Sequence, residues 1–362
     1  MWLTVGVIVV VALLVTIAIF GDSPSFRGTL VHRSKTYIFH TWHSLSHGFH
    51  QVNNQYFNGR LEKYLGWLVP SFYIVVVTFC IFHFFKSTYP ISPFANSYFH
   101  NFFIGASIIS IYVFTYLATF SDPGIITTQS VSKAKKFPNN QLIFFDGRTC
   151  STCLLEKPAR SKHCSVCGHC IMLFDHHCIW VNNCIGYYNY RWFVGYLIAN
   201  INFLIYGGFV NIWTLQAHKQ AHQGYWKLIK SSEDMKITGI FAILCTIFTI
   251  ITSAFTALHI RYIYLGVTTN EYEKWAEIEH LIGLGALYKC ENFDQPYVEQ
   301  AVVLSNDAYE TVYISLDDAK ILFKDSDKVS RQPVTSMERD LVNVYDSGFW
   351  NNLKQRLLLE DT

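Results

Sequence analysis

Five stretches of this chain are apolar enough to cross a lipid bilayer: residues 2–20, 65–85, 99–120, 193–213 and 238–258. A span needs about 20 largely apolar residues because the hydrocarbon core is about 30 Å thick. No water reaches the backbone there, so such a segment satisfies its own peptide groups as a helix. The last three stretches carry no Asp, Glu, Lys or Arg, and the second holds Pro70 and His83. Composition agrees, with 51% hydrophobic, 17% aromatic and only 15% charged residues, against about 25% charged in an average protein. The formal charge of +2 is too small to argue for a nucleic-acid partner. Nothing basic precedes the first stretch and no small-x-small cleavage site follows it, so it reads as a retained anchor rather than a signal peptide. The expected fold class is an integral membrane α-helical bundle of about five spans.

Loop charges orient that bundle. The segment 21–64 holds Arg27, Arg33, Lys35, Arg60 and Lys63, the loop 121–192 holds eight Lys or Arg, and the loop 86–98 holds Lys86 alone. Under the positive-inside rule the two basic loops are cytosolic, which puts Met1 in the lumen and the tail in the cytosol. Lys219, Lys227, Lys230 and Lys236, between the fourth and fifth spans, run against that asymmetry. The expected organisation is an anchor at 1–20, a cytosolic loop at 21–64, helices two and three in 65–120, a cytosolic cysteine-rich segment at 121–192, helices four and five in 193–263, and a cytosolic tail at 264–362.

Seven of the ten cysteines lie between Cys150 and Cys184, spaced C-x2-C-x9-H-C-x2-C-x2-C-x4-D-H-H-C-x5-C. Paired C-x2-C units with interleaved histidines point to metal in a reducing compartment rather than to secreted disulfides. Zinc takes four thiolate or imidazole ligands. The block therefore suits two closed tetrahedral sites with Cys178 left over. Ser121-Asp122-Pro123-Gly124 is a turn signal at its entry. Only residues 185–192 separate Cys184 from the next span, which pins Cys178 near the bilayer surface. In that span Asn200 and Asn211 share one helix face, as polar groups turned toward a bundle interior do.

Asp175-His176-His177-Cys178 has the parts of an activated thiol. A free cysteine, with a pKa of about 8.5, is mostly protonated at neutral pH. A neighbouring histidine can take the proton, and a carboxylate can orient that histidine. One histidine is needed by the metal and one remains, and the residues alone leave open which is which. A reading in which all of them only ligate zinc competes with this one.

The block resembles the DHHC cysteine-rich domain of integral-membrane protein S-acyltransferases, the palmitoyltransferases. Lys157-Pro158-x-Arg160 precedes His163-Cys164, and Trp180, Asn183, Gly186, Asn189 and Phe193 follow at the family's spacing. Thr268-Thr269-Asn270-Glu271 resembles the TTxE motif, and Asn343-Val344-Tyr345-Asp346-Ser347-Gly348 with Asn352 resembles the family's tail motif. The resemblance implies one zinc on Cys150, Cys153, His163 and Cys170, and a second on Cys164, Cys167, His177 and Cys184. It implies Cys178 as acyl-accepting nucleophile, His176 as its base, Asp175 as the residue orienting that base, and Thr269 and Asn352 in support. The reaction implied moves a long-chain acyl group from acyl-CoA to protein cysteine thiols. Lys157, Arg160 and Lys162, beside the site, are candidates for the CoA phosphates. Where the family usually has proline after the DHHC cysteine, this chain has Ile179. That feature and the extra amino-terminal span are similar to the fungal endoplasmic-reticulum branch, which acylates cysteines beside the membrane anchors of SNARE proteins.

In the tail, Trp275, Ile278 and Ile282 recur at helical spacing beside Glu271, Glu273, Lys274 and Glu277, an amphipathic pattern expected to lie on the membrane interface. Partial alternation at 309–316 and an apolar run at 321–323 suggest a small β element. Phe349, Trp350, Leu353 and the leucines at 357–359 suggest a second interfacial helix. Cys80, Cys245 and Cys290 read as small core residues, with Cys290 alternatively an acylated tail site. His32, His40, His43, His47 and His50 read as surface. Two other functions compete. A zinc-containing membrane scaffold or adaptor would need no reactive thiol. A membrane-anchored RING-type ubiquitin ligase would order its ligands differently and leave Asp175 to Cys178 unexplained.

Overall fold

In a computed structural model the described residues are 64–359 except 292, 306 and 307, together with 29–30, 33–37, 41 and 55–56. The expected anchor at 2–20 and His32, His40, His43, His47 and His50 lie outside them. The chain divides into two units, Met1–Leu68 and Val69–Thr362. In the first, residues 33–37 are helical.

Four helices among the described residues are long and apolar enough to cross a membrane. The first, α1 (Leu68–His83), continues through a π turn at Phe84–Thr88 and a 3-10 turn at Tyr89–Ile91. The others are α2 (Tyr98–Phe120), α3 (Tyr190–His218) and α4 (Glu233–Tyr264). Helices α3 and α4 outrun the apolar stretches expected at 193–213 and 238–258. For α4 the start is set by a cap: Ser232 Oγ accepts from the Met235 N–H at 3.2 Å, and Glu233 and Asp234 occupy the first turn, where the helix dipole favours anions. Asn200 and Asn211 do face the interior. Asn200 accepts from the Tyr73 hydroxyl at 3.0 Å, tying α3 to α1. Asn211 accepts from Thr88 at 3.2 Å, and Thr88 in turn meets Thr238 of α4 at 3.0 Å.

Between α2 and α3 lie two short antiparallel hairpins, β1 (Lys162–Cys164) with β2 (His169–Ile171), and β3 (His176–Cys178) with β4 (Asn183–Ile185). Asn183 Nδ2 donates to the Ala118 and Ser121 carbonyls at 3.1 and 2.9 Å, so β4 caps the end of α2. Asn189 bridges the turn into α3, accepting from the Gly186 N–H at 2.9 Å and donating to the Cys184 carbonyl at 2.8 Å. A side chain on Gly186 would meet the Pro123 carbonyl at 2.4 Å, so only glycine lets these two turns touch.

After α4 comes α5 (Thr269–Gly283), then an antiparallel sheet ordered β8-β7-β6-β5-β9, then α6 (Phe349–Leu357). The strands are β5 (Leu287–Cys290), β6 (Tyr297–Ser305), β7 (Ala308–Ser315), β8 (Ile321–Lys324) and β9 (Arg331–Pro333). Strands β7 and β8 match the expected β element, and the other three enlarge it. The apolar face of α5 is not turned to lipid as expected. Trp275 and Ile278 are buried in a protein core with Leu142, Ile143, Phe144, Leu287, Val334, Leu341 and Tyr345. Helix α6 likewise packs on protein: Phe349, Leu353 and Leu357 lie against the cluster that contains Cys178, while Trp350 stays exposed. Amphipathicity reports that one face is apolar and says nothing about what covers it.

Candidate active site and metal clusters

Two groups of four ligand atoms form, Cys150, Cys153, His163 and Cys170 in one, and Cys164, Cys167, His177 and Cys184 in the other, each group within 4.8 Å. The hairpins explain the division. His163 pairs directly with Cys170 across β1 and β2, and His177 with Cys184 across β3 and β4. Successive strand residues face opposite sides, so His163 joins one cluster while its neighbour Cys164 joins the other. Each Cys-x2-Cys turn folds its backbone onto sulfur: the Cys153 N–H donates to Cys150 Sγ and the Cys167 N–H to Cys164 Sγ, both at 3.4 Å. Four thiolate or imidazole donors per group, with no carboxylate, fit closed structural zinc sites.

The same alternation separates the two histidines. On β3, His177 turns to the metal cluster, while His176 and Cys178 share the opposite face. His176 Nδ1 lies 2.8 Å from Asp175 Oδ2, and Cys178 is its neighbour on the same strand face. Burial alone would favour neutral His176, yet the hydrogen bond to Asp175 and the influence of Cys178 outweigh it and push its pKa up to about 9. Burial alone would also raise the Asp175 carboxyl. The His176 hydrogen bond and the Arg356 charge reverse this and hold it well below the usual carboxylate range. Asp175, His176 and His259 also lie within 4.8 Å of one another. With the Arg356 guanidinium 2.9 Å from Asp175, a cation there would be repelled, and the trio reads as proton-handling machinery.

The Thr268-Thr269-Asn270-Glu271 motif has a structural reason for each of its matched residues. Thr268 caps α5 and forms a capping box with Glu271. Thr269 donates to Asp175 twice, from its N–H at 3.1 Å and its hydroxyl at 2.7 Å. Glu271 accepts from Arg160 Nε and Nη2, both at 2.6 Å, and Arg160 Nη2 also reaches the Gly266 carbonyl at 2.9 Å. Arg160 is 2% exposed and lies over the rings of Phe137 and Tyr345. Its guanidinium is thus committed to internal contacts rather than free for CoA phosphates. Of the other two candidates, Lys162 is exposed and Lys157 half-buried. Lys274 stands with them: burial lowers its pKa, and the charges of Lys157 and Lys162 add to that. Asn352 supports the tail, donating to the Ile263 carbonyl at 3.0 Å and to Asp346 at 2.7 Å.

Cys178 stands outside both metal clusters, 6% exposed, at a cavity of about 660 Å³. His176, Ile179, Trp180 and Phe193 line it near the thiol, and it reaches Val210 and Asn211 on α3. From Phe193 to Asn211 the helix rises about 27 Å, nearly the depth of a bilayer core. Ile179 itself is 57% exposed, on a turn closed by the Val181 N–H donating to the Cys178 carbonyl at 3.3 Å. Sequence reasoning missed Arg356, His259 and Tyr190, all buried around Asp175. Arg356 lies four residues beyond Asn352 of the tail motif, but nothing in the sequence ties it to a residue so far upstream.

The DHHC palmitoyltransferase family profile matches residues 143–276, across both clusters and Asp175 to Cys178. Over 361 residues the chain is 49% identical to Palmitoyltransferase SWF1 of Debaryomyces hansenii, covering 97% of this chain and 96% of that protein. It is 48% identical to Palmitoyltransferase SWF1 of Candida albicans over 360 residues, 98% of each. It is 30% identical to that of Yarrowia lipolytica over 382 residues, again 98% of each. A likeness of this degree along almost the whole length establishes that the chain belongs to the DHHC palmitoyltransferase family.

Proposed function

We propose that this protein S-palmitoyltransferase carries its acyl group on Cys178, taking it from acyl-CoA and passing it to a cysteine thiol of a membrane protein. The carrying observation is that the one block cysteine outside both metal clusters shares a strand face with His176 and opens with it onto a long apolar cavity. Cys178, its proton transferred to His176, attacks the thioester carbonyl; the C–S bond to CoA breaks and His176 returns the proton to the leaving thiolate. The acceptor thiol then gives its proton to His176 and attacks acyl-Cys178, which leaves as the thiol. Both steps exchange one thioester for another, so the demand is mainly positioning. Each methylene buried in the cavity contributes about 0.8 kcal/mol, which favours a long chain. Asp175 keeps His176 in register. Zinc, when bound by the two clusters, supplies structural cross-links.

Lys157 and Lys162 are our candidates for the CoA phosphates. A Cys178 packed among Ala118, Tyr190, Phe193 and Ile263, all near ends of spans, favours acceptor cysteines beside a membrane anchor. We infer SNARE proteins as substrates, the endoplasmic reticulum as the site of action, and a cytosolic cysteine-rich domain and tail. The basic loops and the fungal relatives support that reading. A covalent intermediate predicts a burst of free CoA equimolar with enzyme before any acceptor is added, and parallel double-reciprocal plots when a juxtamembrane-cysteine peptide in liposomes is the varied acceptor. Intersecting plots with no burst would contradict it.

A further inference from the structure

We propose that Arg356, on the C-terminal helix α6, is a positioning residue for acyl transfer, fixing Asp175 in the orientation from which it aims His176 at Cys178. The proposal rests on the roles given above to Asp175, His176 and Cys178. Asp175 is 1% exposed. Its carboxylate is held by the Thr269 N–H at 3.1 Å, the Thr269 hydroxyl at 2.7 Å, His176 Nδ1 at 2.8 Å and Arg356 Nη2 at 2.9 Å. A carboxylate offers about four lone-pair sites, so these contacts fill it, and rotation about its side chain breaks several at once. Three elements converge here, and α6 brings the cation.

Arg356 is 3% exposed, with its guanidinium carbon 4.1 Å from the centre of the Tyr190 ring. Its Nε and Nη1 find no acceptor among the described residues. A buried cation so sparsely satisfied is costly unless an anion meets it directly, and Asp175 is that anion. Docking of α6 does not itself call for a charge at this position. Asn352 anchors the helix to α4, and Phe349, Leu353 and Leu357 supply its apolar contact. The adjacent Gln355 accepts from Arg160 Nη1 at 3.4 Å, on the Glu271 side of the site. Arg356 therefore acts on Asp175 rather than on the anchoring of its own helix.

The test uses full-length, detergent-purified enzyme and single-turnover acylation by palmitoyl-CoA. Arg356→Met is expected to lower the acylation rate constant about 10²-fold, the scale of a small misplacement of a catalytic group, with the half-saturating palmitoyl-CoA concentration and zinc content unchanged. Because a single nitrogen of Arg356 meets Asp175, Arg356→Lys is expected to recover most of the rate, and added guanidinium to restore part of it in Arg356→Ala. A wild-type rate in Arg356→Met overturns the proposal. So does a loss that neither lysine nor guanidinium relieves, since the residue is then only structural. Cys178→Ser runs alongside: acyl label persisting on it would refute the nucleophile assignment beneath the proposal, a failure distinguishable from the other two.

Discussion

Replacing Glu271 by alanine is expected to cost the fold about 3–5 kcal/mol, because it leaves a buried guanidinium without its partner. Arg160 and Glu271 have side chains only 2% and 1% exposed and are joined by two bonds of 2.6 Å. Glu271 also accepts the Thr268 N–H at 2.9 Å, so the same substitution removes half of the α5 capping box. The adjoining Thr269 supplies two of the bonds on Asp175. Acyl transfer should therefore fall together with stability. Thermal unfolding of detergent-purified protein checks the first effect and acylation at low temperature the second. The double substitution Arg160→Met with Glu271→Leu should regain most of the stability, since an apolar pair can replace a buried ion pair at little cost. A melting temperature indifferent to Glu271→Ala would mean that Arg160 has other compensation.

Loss of one metal ligand should be at least as severe. The hairpins that hold the clusters have three residues per strand, and the buried side chains around them, Cys164, Ile171, Phe174 and Cys184 in one cluster and Cys150, Cys170, Met172, Leu173 and Tyr187 in another, include four of the metal ligands themselves. Structural zinc contributes about 10–16 kcal/mol to folding in small zinc domains, a large share of what holds so small a segment together. Cys167→Ser is expected to drop zinc below the two per chain that the clusters accommodate and to unfold the segment carrying Cys178. Cys178→Ser should keep both ions. Metal analysis by atomic absorption decides between them, and loss of a zinc on mutating Cys178 would refute the division of ligands.

The four described spans could be read along the chain as uninterrupted apolar runs, and the ligand spacing pointed to two closed sites, whereas the division of the ligands between them came with the family resemblance. The choice between His176 and His177 needed one more fact, that they lie on a strand, after which alternation decides it. Arg160 was misassigned for a different reason. Beside Lys157 and Lys162 it looks like one of three surface cations, and only the fold brings Glu271 to it. The same holds for Arg356, whose partner Asp175 precedes it by α3, α4, α5 and the whole sheet. For α5 the apolar stripe was recognised, but three strands of the sheet beside it were missed, β5 and β9 because they are too short to show an alternation and β6 despite its nine residues.

The central claim is that Cys178 carries the acyl group. Its most direct test incubates detergent-purified wild type and Cys178→Ser with a clickable palmitoyl-CoA and looks for hydroxylamine-sensitive label, located by mass spectrometry. Label on the Cys178 peptide of wild type and none on the variant is the predicted result. A folded, zinc-loaded wild type that takes no label, or a variant that takes as much, would contradict it.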